Sequence, residues 1–110
     1  MSWDAAETYL QKLRQKGQFA VFQLPRRTAF VQVMRTSNGS LVVEASEGGG
    51  NIELLLQRMG TVSRNELGLV TVLSEAGNDA TCAEVIAQTI GVLATSSGCE
   101  NVCRVRIGAQ

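Results

Sequence analysis

The chain has 110 residues with ten basic and ten acidic side chains, so its formal net charge is zero; 45% of residues are hydrophobic and only 18% are charged. That composition excludes a disordered segment and a strongly basic nucleic-acid binder, and the length fits one domain. Histidine is absent, which removes Ser-His-Asp and Cys-His catalysis and His-ligated zinc from the chemistry within this chain.

The predicted elements run in chain order as follows. Ser2 is a candidate N-cap, with Asp4 and Glu7 in the first turns, where a helix dipole favours negative charge. Trp3, Ala6, Leu10 and Leu13 form one helical stripe, and Gly17 follows a basic last turn, so a first helix is expected over about 3–16. The period then changes. Gln18–Leu24, Thr28–Thr36 and Leu41–Ser46 alternate like strands. Asn38-Gly39 suits a two-residue hairpin loop, and Pro25-Arg26-Arg27 suits a second tight connection, giving a three-stranded meander. Glu47-Gly48-Gly49-Gly50 reads as a flexible linker, Asn51 as a cap, and Ile52, Leu55, Leu56 and Met59 as a short second helix ended by Gly60.

Residues 61–66 read as loop and Leu67–Leu73 as a strand. Gly77-Asn78-Asp79 reads as a turn. Thr81-Cys82-Ala83-Glu84 matches a capping box opening a third helix over about 82–96, and Gly91 inside that helix predicts a close packing contact. Val102–Ile107 is a final short strand. The expected class is α+β in a single domain over 1–110: an antiparallel sheet with an N-terminal β-meander and flanking helices, in the order α-β-β-β-α-β-α-β.

Two-residue loops in both hairpins set Gln23 opposite Phe30, Val21 opposite Gln32, Thr36 opposite Leu41 and Met34 opposite Val43. Side-chain alternation then sorts the faces. One, with Phe19, Val21, Met34, Leu41 and Val43, is expected under the helices. The other carries Phe22, Val31, Val33, Arg35, Val42 and Glu44, with Arg35 and Glu44 diagonal and able to pair. It is too apolar for an ordinary solvated face, so either a helix covers it too or it is a partner surface.

Charge is segregated. Residues 1–39 carry six basic and two acidic groups (+4), residues 40–100 two basic and eight acidic (−6), and Arg104 and Arg106 add +2 at the end. Such segregation can steer a partner or a second copy of the chain. Arg104 and Arg106 share one strand face and could hold an acidic partner segment, or simply be solvated on an edge strand. Cys82, Cys99 and Cys103 are an odd set without zinc or thioredoxin spacing and read as small buried or half-buried thiols. The Gly-rich loop lacks the Lys-Ser/Thr of a phosphate cradle. Five aromatics without basic interleaving give little support for nucleic-acid binding. The first 18 residues show no signal-peptide core, and the longest uncharged stretch is too short and polar to span a bilayer. A cytoplasmic protein without cofactor, metal or membrane association is expected.

Trp3 near the start of an amphipathic helix with Tyr9-Leu10-x-x-Leu13, then Phe19-x-Val21, Ala29-Phe30-Val31-Gln32-Val33, Leu41-x-Val43-Glu44-Ala45, and a short helix around Leu54-Leu55 ending at Met59-Gly60, together resemble the type III secretion chaperone and YbjN-like (TY-Chap) domains. The resemblance covers roughly residues 3–60, with a looser fit of the third helix. It implies an α+β fold that binds protein or peptide segments, frequently as a dimer, without catalysis. Two features depart from it. Secretion chaperones tend to be acidic, and their order ends in two strands and a helix, where β-α-β is read here. The expected function is a non-catalytic protein- or peptide-binding domain acting as a homodimer through Phe22, Val31, Val33, Arg35, Val42, Arg104 and Arg106. The alternative is a small-molecule or anion-sensing regulatory domain using the arginines and the Gly-rich loop.

Overall fold

In the computed structural model, which describes residues 1–25, 28–47, 49–97 and 103–110, all eight expected elements occur in the expected order, with one additional short strand. They are α1 (Trp3–Gln11), β1 (Gln18–Gln23), β2 (Phe30–Arg35), β3 (Leu41–Ala45), α2 (Gly50–Leu56), β4 (Val62–Arg64), β5 (Val70–Ser74), α3 (Asp79–Ser97) and β6 (Arg104–Ala109). The strands form one sheet in the order β4-β5-β3-β2-β1-β6, every neighbouring pair antiparallel. The fold is α+β. The added strand β4 lies in the segment read as loop: three residues are too few to show an alternation.

The helices share one side of the sheet. The Tyr9 ring of α1 meets Phe22 of β1 edge-on at 5.9 Å. The N-terminus of α3 reaches Arg35 of β2, and Glu53 of α2 pairs with Arg64 of β4 at 2.9 Å. Ala6 and Leu10 of α1, Leu13 just after it, and Val85, Ile86, Ile90 and Leu93 of α3 are buried against the inner sheet face, whereas Trp3, which opens the α1 stripe, is exposed.

This reverses the expected faces of β1 and β2, while Leu41 and Val43 of β3 lie under the helices as expected. Phe22, Val31 and Val33 are fully buried core residues, so the helices cover the surface that could have been a partner site. The outcome has two causes. The α1 and α3 contacts just named select the Phe22/Val31 side. The second hairpin is also one residue longer than Asn38-Gly39 suggests. Thr36 N–H donates to Ser40 O at 2.9 Å, Gly39 N–H donates to Thr36 O at 3.1 Å, and Gly39 takes φ +85°. That is a turn followed by a left-handed residue, the usual three-residue hairpin loop. Arg35 therefore pairs with Leu41, Met34 with Val42 and Gln32 with Glu44. Every β3 side chain changes face relative to the two-residue register, sending Leu41, Val43 and Ala45 into the core. The first hairpin has the expected register, Gln23 opposite Phe30 and Val21 opposite Gln32; its Arg26-Arg27 lie outside the described residues.

Arg35 does not pair with Glu44, which now lies on the opposite face. Its side chain, 10% exposed, enters the layer between sheet and helices. Nε donates to Leu13 O (2.6 Å), one terminal nitrogen to Gly39 O (2.8 Å) and Asp79 Oδ1 (3.1 Å), the other to Leu10 O (3.2 Å) and Asp79 Oδ2 (2.9 Å). All five guanidinium N–H groups are satisfied. The same contacts explain two boundary shifts. α1 stops at Gln11 instead of continuing to 16, because the carbonyls of Leu10 and Leu13 turn to Arg35 and the Gln18 side chain accepts from Arg14 N and Gln15 N, both at 2.7 Å. α3 begins at Asp79, upstream of the Thr81 cap, and Glu84 pairs with Arg58 at 3.2 Å instead of closing a capping box. β6 ends at Ala109, later than expected, since its ladder with β1 runs to Gln18 opposite Ala109. Asn51 lies within α2, whose N-cap is Gly49 without a side-chain hydrogen bond.

Cys82 of α3 is buried and Cys103 half-buried; Cys99 lies outside the described residues. Burial raises the Cys82 thiol from its usual 9.0 to about 12. The Ser74 hydroxyl opposes that rise, nearby Asp79 adds to it and Arg35 opposes it. Ser74 Oγ nonetheless makes no hydrogen bond of full geometry.

Two outcomes follow for stability. Arg35→Met strands the Asp79 carboxylate and the Leu13 and Gly39 carbonyls, and should cost about 3–5 kcal/mol in urea unfolding, while Asp79→Asn, which keeps the carbonyl contacts, should cost about 1–2. The second concerns Cys82. The folded thiol holds its proton above pH 9 and the unfolded one does not, so its contribution is fully present below pH 9 and declines as the pH rises toward 12. Wild-type stability should fall through that window more steeply than that of Cys82→Ala, by at most about 1.4 kcal/mol per pH unit.

Candidate protein-binding face

The outer face of the sheet has no described helix over it. Alternation places there the residues whose strand neighbours enter the core, and the ladder pairings arrange them in rows across the strands. One row is apolar: Phe19 on β1, Met34 on β2, Val42 on β3 and Leu73 on β5. Phe19, Met34 and Val42 are half-buried, and Leu73 is 50% exposed. The next row is polar at its ends, running from Arg106 on β6 through Val21 and Gln32 to Glu44 on β3 and Thr71 on β5. Arg104, Gln23 and Phe30 make a third.

Gly108 and Arg106 shape the β6 end. Phe19 folds over Gly108 so closely that a Cβ there would stand 2.7 Å from the ring's Cζ. The Arg106 guanidinium carbon sits 6.0 Å from the centre of the same ring, within cation–π reach. Phe19 is thereby held flat against the edge strand. Beside it, Val21, Gln23, Thr28, Phe30, Gln32 and Arg106 line a depression of about 350 Å³. The surface offers apolar contact, two amides and charges of both signs. It holds no thiol, and its one carboxylate, Glu44, has no ion-pair partner among the described residues.

The candidate residues from the sequence therefore divide. Phe22, Val31, Val33 and Arg35 are inside. Val42, Arg104 and Arg106 are on the outer face, the two arginines exposed on the edge strand. Sequence reasoning placed Phe19 and Met34 under the helices and passed over Leu73. A usable signal existed: Gln23, Gln32, Glu44 and Thr71 fall on one face only if β3 takes the three-residue-loop register, and a solvated face collects polar residues.

Two other features complete the surface. A groove of about 780 Å³ between α2 and α3 is lined by Leu55, Arg58, Gln88, Gly91 and Val92 among others. Its Arg58 is engaged by Glu84 and Gln88. The segment that leads to α2 leaves β3, an interior strand, just after Ser46, whose N–H donates to Phe30 O at 3.0 Å; its Gly48 lies outside the described residues. Among the described residues no helix is long and apolar enough to cross a membrane, and no group of three or more Cys, Asp or Glu side chains is placed to hold a metal ion.

Comparison with protein-family models, with curated proteins and with solved structures finds no match to this chain.

Proposed function

We propose that the chain is a non-catalytic, cytoplasmic protein- or peptide-binding domain, secretion-chaperone-like in architecture and acting as a homodimer, and that its helix-free sheet face takes the partner. The observation carrying this reading is the apolar row Phe19, Met34, Val42 and Leu73 left open on a sheet whose other face packs against the helices. Apolar rows rimmed by polar side chains mark protein contact surfaces. The element order adds support. With β4 present, residues 3–97 run α-β-β-β-α-β-β-α, which contains the two strands and a helix that the resemblance implies, although β6 follows them.

Opposite faces of one strand provide the test. Val31→Glu buries an unpaired charge under the helices and should unfold the domain. Met34→Glu points outward and should leave the circular dichroism spectrum and thermal midpoint close to wild type. It should abolish self-association and partner capture, read by sedimentation velocity and pull-down. A folded Met34→Glu variant that associates like wild type would count against this face.

A further inference from the structure

We propose that the partner on the outer face is a second copy of this chain, docked sheet against sheet about a twofold axis that runs along the strands between β1 and β2. This rests on the reading of that face as a protein-binding surface and specifies its occupant and register.

The basis is the row Arg106, Val21, Gln32, Glu44, which crosses β6, β1, β2 and β3 in order. Its charged ends are three strand spacings apart, about 14 Å at roughly 4.8 Å each, too far to pair within the chain. Neither end has an ion-pair partner among the described residues. A twofold axis parallel to the strands and midway between β1 and β2 maps β6 onto β3 and β1 onto β2. It sets each Arg106 against the other copy's Glu44, twice. In the adjacent row it sets each Phe19 against the other copy's Met34, also twice, and lays side-chain-free Gly108 opposite Val42. The result is an apolar centre flanked by two symmetric ion pairs, a self-complementary patch of the kind a twofold interface requires. Sheets packed this way lie about 10 Å apart with strands aligned within roughly 30°, a gap that an arginine and a glutamate span from opposite sides.

Charge selects this occupant and this orientation. An acidic peptide or a nucleic acid would meet Glu44 as a like charge. A twofold axis across the strands would stack Arg106 on Arg106 and Glu44 on Glu44. The strand-parallel axis instead brings the basic β6 end, part of the +2 terminal segment, over the acidic middle segment carrying −6.

Charge reversal with sedimentation velocity and thermal melting tests the register. Arg106→Glu and Glu44→Arg are outward-facing and should melt near wild type. Each puts like charges at both contacts and should weaken dimerisation about tenfold or more, less at high salt. The double reversal should restore wild-type affinity. A double variant no better than the weaker single, or singles that dimerise like wild type, would overturn the register. If Met34→Glu abolishes the dimer in that case, the face keeps its role and only the Arg106–Glu44 pairing fails. A dimer indifferent to Met34→Glu overturns both claims, and a wild type that stays monomeric at high concentration overturns the second-copy proposal.

Discussion

The Arg35 guanidinium sits where α1, the β2–β3 loop and α3 converge, and each of its five N–H groups ends on an acceptor from one of them. A planar, permanently charged fork suits that position, since a lysine ammonium could offer three donors and no bidentate grip on Asp79. Burying the charge is tolerable because the carboxylate and three carbonyls replace its water. The carbonyl of Leu13 would otherwise be left without a partner in the turn after α1, and that of Leu10 would keep only the Leu13 N–H at 3.0 Å. One side chain thus satisfies the end of the first helix, holds the start of the third and pins the hairpin between them.

That convergence decides which sheet face is closed. Arg35 alternates with Val33 and Val31 along β2, so helices drawn to Arg35 must lie over those valines and over Phe22 beside them. The other face then keeps Phe19, Met34, Val42 and Leu73. The three-residue loop at Gly39 acts in concert, because it brings Leu41 and Val43 to the closed side and Glu44 to the open one. With the two-residue loop, Glu44 would enter the core beside an Arg35 whose five N–H groups are already taken, at a cost of several kcal/mol. Packing and loop geometry agree, and the open face receives both its apolar row and its charged ends from the same register.

Much of this was legible in the residues. The apolar stripe of Ala6, Leu10 and Leu13, the alternation in β1 and β2, the first hairpin register and the α+β class all follow from local periodicity, which the structure preserves. What was not legible depends on partners distant in sequence. Nothing near Arg35 announces Asp79, so its exposure could not be judged, and its tempting neighbour Glu44 faces away. Asn-Gly is compatible with a two-residue loop or with the end of a three-residue one, and that single residue put β3 out of phase with β1 and β2. The polar grouping of Gln23, Gln32, Glu44 and Thr71 was the strongest available clue to the open face. Of the candidate site, Val42, Arg104 and Arg106 were found, while Phe19 and Met34 were assigned to the wrong side.

An open apolar row on the face opposite the helices is the central claim, and methionine methyl groups report on it from both sides. Met34 lies on the open face, and Met59 is packed into the core beyond α2. Methyl spectra of the wild-type chain on serial dilution should show the Met34 signal shifting with concentration while the Met59 signal stays fixed. A Met34 signal that does not move, in a sample that sediments as a monomer throughout, would contradict the account.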